Sequence, residues 1–273
     1  MWSPRRHSRG PLASIAIGAL TLATALSISA CSSGASDGQI TVAGSTTCLP
    51  IAEVAAEAYA EQTGLSVLVS GLGSSAGIEA VSNGTAEIAT SSRGLNEEEQ
   101  KLGLTTIPVA HDGIAVIVNP DNPVQNLSTE QLRDIYAGKI TNWSEVGGED
   151  LAIQLVNRDE ASGTREAFKS IIMDGESFDR RAAVLSGTGQ VRDVVSRTRG
   201  AIGYISLGSL DDTVKGVNID GVEPTAENIE NGSYTVSRPF NVATKGELTN
   251  EAAQDFIDYI LSAEGQAIVS EEG

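Results

Sequence analysis

Ile40-Thr41-Val42-Ala43-Gly44-Ser45-Thr46-Thr47 decides how this chain reads, because its design recurs three times downstream. An apolar, strand-like run enters a loop of Gly, Ser and Thr, and a helix-like run follows. Val67-Leu68-Val69 leads into Gly71-Leu72-Gly73-Ser74-Ser75, and Ile88-Ala89-Thr90 leads into Ser91-Ser92-Arg93. Leu155-Val156-Asn157 leads into the segment from Arg158 through Thr164. Alternating strand and helix signals predict an α/β fold with mostly parallel strands. Each loop also presents hydroxyls and bare N–H groups where a helix begins. Unpaired donors and the positive end of the helix dipole make that a place for a small anion. Several such ends converging on one point would surround an oxyanion with neutral donors.

Upstream of this region the chain has a different character. Arg5, Arg6 and Arg9 form a basic start, and Leu12 to Ala30 is an apolar run ending in Ile28-Ser29-Ala30-Cys31. This is the pattern of a secretory signal peptide over residues 1–30. Its last four residues are similar to a bacterial lipobox, which makes Cys31 the expected lipidated N-terminus of the mature chain. Residues 31–38, rich in Ser and Gly, read as a linker holding a domain off a membrane. A plain signal peptide or an N-terminal membrane helix is the alternative. Processing would remove His7 and leave His111 as the one His and Cys48 as the one free thiol. No disulfide framework and no Cys/His metal cluster follow from that inventory, and no cofactor is expected.

The 273 residues suffice for one large or two modest domains. The net charge of -18 and an aromatic content of 4% argue against a nucleic-acid partner. The same charge repels free anions at long range. An anion site here must act locally, through aimed donors and a few Arg, within a Debye length of about 8 Å. Further along, Leu49 to Thr63 reads as a helix with Pro50 in its first turn and Gly64 ending it. Ser128-Thr129-Glu130-Gln131 reads as a capping box. Trp143 reads as a core plug, His111 as a packing or turn residue and Cys48 as a small buried filler.

Arg158-Asp159-Glu160-Ala161-Ser162-Gly163-Thr164-Arg165 is the sharpest segment. A guanidinium at a strand end can grip two oxygens of a tetrahedral oxyanion at once, and a helix start adds N–H groups and hydroxyls. An ordinary N-cap beside a surface Arg explains the same residues. Ser45 with Thr46, and Ser74 with Ser75, are equally readable as caps. Ser92 and Arg93 end a strand with a hydroxyl and a cation. Asp112, beside Gly113, is either a turn residue or an acceptor for a ligand that carries a proton. Hydrogen phosphate carries one at neutral pH; sulfate does not.

Taken together, several pieces resemble the phosphate-binding lipoproteins of ABC phosphate importers. They are the lipobox, Ala43-Gly44-Ser45-Thr46, Gly73-Ser74-Ser75-Ala76-Gly77, residues 88–95, His111-Asp112-Gly113-Ile114 through Pro120, Thr141-Asn142-Trp143, residues 158–165 and Gly200-Ala201-Ile202-Gly203-Tyr204. The resemblance runs from about Ile40 to Gly273, where similar proteins continue a little further. It implies a two-lobed, type II-like periplasmic-binding-protein fold with two hinge crossings. Lobe one is expected over 39–112 plus 206–273, and lobe two over 113–205. It implies phosphate donors at Ser45, Thr46, Ser74, Ser75, Arg158, Ser162, Gly163 and Thr164, with Ser92 and Arg93 beside them. Many relatives carry an Asp at the position of Ser92, and here Asp112 is the implied proton acceptor. The expected partners are inorganic phosphate and an ABC permease. The expected protein is an extracytoplasmic monomer held to a membrane only by its lipid, and not an enzyme. Other readings are a binder of sulfate, molybdate or tungstate, a phosphate-ester hydrolase, or an adhesive lipoprotein. A hydrolase needs a metal cluster or activated nucleophile that the inventory does not offer.

Overall fold

The computed structural model describes residues 39–272; the signal, lipobox and linker assigned to residues 1–38 lie outside the described residues. The elements are β1 (Gln39–Gly44), α1 (Leu49–Thr63), β2 (Ser66–Gly71), α2 (Ser74–Asn83), β3 (Ile88–Ser91), β4 (Leu104–Val118), β5 (Asn126–Leu127) and α3 (Thr129–Tyr136). They continue as β6 (Gln154–Arg158), α4 (Gly163–Phe168), β7 (Ala183–Leu185), α5 (Thr188–Arg197), β8 (Ala201–Ser206), β9 (Lys215–Ile219), α6 (Ala226–Glu230), β10 (Ser237–Lys245), α7 (Glu251–Leu261) and α8 (Ala263–Glu272). The local signals hold at several ends. Gly64 closes α1 with φ 74°, and Ser128 and Gln131 cap α3 reciprocally.

One sheet runs through the fold in the order β2-β1-β3-β10-β4-β8-β6-β7, with β9 joined to β4 and β5. The parallel pairings expected from the alternation hold for β1 with β2 and β3, and for β6 with β7 and β8. β4 and β10 instead run antiparallel to their neighbours. They are the strands that carry the chain out to the second half and back, and a return strand beside its outgoing partner is antiparallel.

Two halves share this sheet. In the first, Ile40, Val42, Ile88 and Val242 pack under Tyr59, Phe256 and Ile257 of the covering helices. In the second, β4 is buried on both faces from Gly113 to Val118. Ile114, Val116 and Val118 face one core with Trp143, Phe168 and Tyr204, while Ala115 and Ile117 face another with Val191 and Val195. A strand covered on both faces reads as a continuous apolar run, as this one does.

The lobe boundary differs from the one expected. β9 pairs with Val116–Val118, and Tyr234 and Val236 pack into the core around Ile114. Residues 206–236, expected in lobe one, therefore lie with lobe two. The crossings fall at Gly113–Ile114 and Val236–Ser237, and the Ile114 N–H donates to the Val236 carbonyl (2.8 Å), tying the two together. The reason is tertiary: β9 pairs with β4, 97 or more residues upstream, and with β5, 92 residues upstream, and nothing local says which half it joins. Trp143 is a core residue as expected, its Nε1 donating to the Gly200 carbonyl (3.0 Å).

Candidate functional site

Where the two halves meet, hydroxyls from four helix starts and one strand end come into contact. Lobe one supplies Ser45, Thr46 and Thr47 before α1, Ser74 opening α2, and Ser92 after β3. Lobe two supplies Thr164 at the start of α4 and Thr188 opening α5. Ser92 accepts a bond from Ser45 (3.0 Å) and meets Ser74 (3.3 Å) and Thr164 (3.4 Å). Thr47 meets Thr164 (2.9 Å) and Thr188 (3.1 Å) across the cleft. Thr46 is within 3.5 Å of Thr188. These hydroxyls are neutral, rotatable donors whose bonds to one another are exchangeable for bonds to an anion.

Arg158 lies beneath them, only 2% exposed. Its Nη2 donates to Thr46 Oγ1 (3.0 Å) and the Ser186 carbonyl (2.9 Å), its Nη1 to Thr188 Oγ1 (3.3 Å), and its Nε to the Leu185 carbonyl (3.2 Å). Burial pulls its pKa down from the usual arginine value, yet a guanidinium stays charged in proteins. The strand beneath is held by aromatic packing: Tyr204 stacks on Phe168 with centroids 4.2 Å apart, and its hydroxyl meets Asn157 Oδ1.

Ser162 caps α4, its Oγ accepting from the Arg165 N–H (3.2 Å). Gly163 has a packing reason to be glycine. A Cβ there would collide with Ser74 Oγ and come within 2.7 Å of Ser92 Oγ, so only a bare backbone lets α4 approach. Gly73 is similar: φ is 98°, and a Cβ would sit 2.8 Å from the Ala161 carbonyl across the cleft.

Arg93 and Ser75 are not in the donor cluster. Arg93 forks onto Glu99 (2.6 and 2.7 Å), donates to Ser75 Oγ (3.0 Å), and pairs through Nε with Glu166 (2.5 Å). A buried guanidinium goes to the nearest carboxylates, and Glu99 is six residues away. Arg93 thus links lobe one to Glu166 of lobe two, beside a backbone bond from the Ser75 N–H to the Ala161 carbonyl (3.1 Å). Glu99 is pushed up by burial but pulled further down by its bonds to Arg93 and to the Asn96 N–H, so its pKa is lowered overall.

Asp112 is 2% exposed and pairs with Arg238, a residue the sequence reading did not single out. Thr47 and Thr188 were also missed. Thr188 had a signal: Ala183-Val184-Leu185 into Ser186-Gly187-Thr188 repeats the strand–loop–helix design. Arg238 had none, because its place depends on β4 and β10 pairing in register. Cys48 is a buried filler, its thiol pushed up to about 12 by burial. Among the described residues no group of His, Cys, Asp and Glu could hold a metal ion. Surface cavities of about 550 and 590 Å³ lie elsewhere and are lined by Glu53 and Glu57, and by Asp211, Asp212 and Glu223, which repel anions.

A two-lobed α/β protein that gathers hydroxyls and a buried guanidinium between its halves has the form of a solute-binding protein. Residues 29–264 match the PBP superfamily domain. The chain is 36% identical over 241 residues to the phosphate-binding protein PstS of Bacillus subtilis, covering 86% of this chain and 80% of that one. It is 33% identical over 246 residues to PstS of Borreliella burgdorferi, covering 86% and 88%. A protein from Clostridium perfringens, described as a phosphate ABC transporter substrate-binding protein and solved with bound phosphate, superposes with a TM-score of 0.83 at 43% identity, covering 86% of this chain and 97% of that one. An ABC-type phosphate transport receptor from Vibrio cholerae gives 0.72 at 39% identity, covering 86% and 98%. The chain belongs to the PBP superfamily and, within it, to the PstS family of phosphate-binding proteins.

Proposed function

We propose that this protein captures inorganic phosphate between its lobes and delivers it to an ABC importer, as a binding protein and not an enzyme. The observation carrying this reading is the chain of touching hydroxyls of Ser45, Ser74, Ser92, Thr164, Thr47 and Thr188, contributed by both lobes and reaching Arg158 through Thr188. Family membership points the same way. Phosphate would bridge half-sites that are each incomplete, and so favour the closed arrangement by differential affinity. Micromolar binding needs about -8 kcal/mol. Charge-assisted bonds to Arg158, together with hydroxyl and N–H donors from Ser45, Thr46, Ser74, Ser92, Ser162, Gly163 and Thr164, are sufficient in kind and number.

Asp112 is the proposed acceptor of the phosphate proton. The reading puts the protein outside the cytoplasm, as a monomer anchored through lipidated Cys31. Among the described residues no helix is long and apolar enough to cross a membrane. Calorimetric titration of the purified protein with phosphate, sulfate and molybdate tests the proposal. Saturable heat with phosphate alone is expected; tighter binding of molybdate or sulfate would overturn the choice of ligand. Hydrolysis of a generic phosphomonoester would overturn the non-enzymatic reading.

A further inference from the structure

The tripeptide Ser-Gly-Thr occurs twice in lobe two, at Ser162-Gly163-Thr164 and at Ser186-Gly187-Thr188. Each copy follows one strand of the parallel pair β6 and β7, and each lies at the start of a helix, α4 or α5. Both threonines are buried, Thr164 at 1% exposure and Thr188 at 5%. They reach the same lobe-one hydroxyl, Thr47 Oγ1, from 2.9 Å and 3.1 Å. Only the first copy lies in the segments on which the family resemblance rests. The second stands in the same relation to the site without belonging to them.

Thr188 Oγ1 has three partners among the described residues, all of them side chains where the lobes meet. They are Thr47, Thr46 (3.5 Å) and Arg158 Nη1 (3.3 Å). None is a backbone group, so this hydroxyl is not committed to a cap or a turn, as the Ser162 hydroxyl is at α4. A guanidinium only donates, so Thr188 accepts from Arg158 and its own proton is left to face Thr46 or Thr47. The same turn gives Arg158 two further acceptors, the Leu185 and Ser186 carbonyls. A carbonyl cannot bond an anion and a hydroxyl can. Of the three acceptors that the turn offers Arg158, Thr188 is therefore the one able to serve a ligand as well. The other tip of the guanidinium rests on Thr46 (3.0 Å), so one threonine from each lobe flanks it.

We propose that Thr188 is a direct phosphate ligand, the hydroxyl through which the turn before α5 adds a second lobe-two arm to the site. This rests on reading the hydroxyl chain as the phosphate site. When Nη1 turns from Thr188 to a ligand oxygen, the hydroxyl it leaves stands beside that oxygen and donates to it. Thr46 makes the matching exchange from Nη2 on the lobe-one side. Lobe two then holds the anion from α4 and from α5, with Arg158 between them.

Calorimetric titration with inorganic phosphate, at fixed pH and ionic strength, tests this. Thr188→Val removes the hydroxyl and nearly keeps the shape; it should weaken phosphate by about tenfold to a hundredfold, the range for a hydrogen bond to a charged group. Thr188→Ser restores the hydroxyl and should recover most of that loss. A residue that merely steadied Arg158 would behave differently. With Arg158→Lys in place there is no fork left to steady, and adding Thr188→Val would then change nothing. A direct ligand still costs about tenfold or more in that background. Three results would each overturn the proposal: a change below about threefold for Thr188→Val, Thr188→Ser as weak as Thr188→Val, or no added loss beside Arg158→Lys. If Thr188→Val does not fold, Thr188→Ala takes its place under the same criteria. Failure of the underlying site reading looks different: phosphate affinity would then survive Arg158→Ala.

Discussion

Replacing Arg158 by alanine should remove most of the phosphate affinity. The guanidinium is buried and contacts Thr46 from lobe one and Thr188 from lobe two. In the complex its Nη1 and Nη2 would turn those bonds to the ligand oxygens. A hydrogen bond to a charged group is worth about 1.5–3 kcal/mol, and two of them are lost. The expected loss is about 3–6 kcal/mol, or a factor of about 10² to 10⁴ in Kd. Part of the effect could fall on folding instead, since the Leu185 and Ser186 carbonyls lose their donor. That part is separable. Thermal melting without phosphate reports the folding cost, and the further rise in melting temperature with phosphate reports binding, worth about 2.7 kcal/mol at a hundredfold excess over Kd. Calorimetry at fixed ionic strength then measures Kd directly. Arg158→Lys should fall between the two, because it keeps the charge but not the fork. A change of less than about threefold on Arg158→Ala, roughly 0.6 kcal/mol, would refute the assignment.

Gly163→Ala should weaken phosphate by at least about tenfold with little change in melting temperature, because the added methyl meets Ser74 and Ser92 only when the lobes approach; unchanged affinity by calorimetry would show that α4 does not come so close in the complex. Glu166→Gln cuts the Arg93 pairing across the cleft, but Glu166 is 42% exposed, so the effect should be small, about 0–1 kcal/mol, and should fade at high salt; phosphate titration at two salt concentrations measures it. The Glu99 carboxyl is held below its ordinary pKa in the folded state, so its contribution to stability is present above the unfolded pKa and lost as pH falls through the folded one. Melting curves from pH 6 downward should therefore show a shallower acid decline for Glu99→Gln than for wild type, and equal slopes would refute the linkage.

Much of this architecture was legible because it is local. Apolar alternation, glycine stops and a Ser-x-x-Gln cap depend on neighbours a few residues apart, and β1, α1, α3 and β6 fall where those signals lie. Four of the hydroxyl-bearing turns were legible too, since a strand-to-helix turn must supply its own donors. Ser45, Ser74, Ser92, Arg158 and Thr164 do come together. Arg93 pairs with Glu99 and Glu166, which its sequence context did not reveal, because a cation at a strand end looks the same whether it meets a ligand or a carboxylate. The Glu99 that claims it lies in a short turn whose approach depends on burial.

By itself, then, the order of residues determined the element types, the α/β class and which loops carry donors, because those follow from hydrogen bonding and side-chain pattern over short spans. Tertiary structure alone decided which half β9 joins, where the chain crosses between lobes, and that Arg238 stands against Asp112, 126 residues away. Strand pairing is a choice among distant partners of similar backbone. It is settled by which arrangement buries the most apolar surface and leaves the fewest charges unpaired.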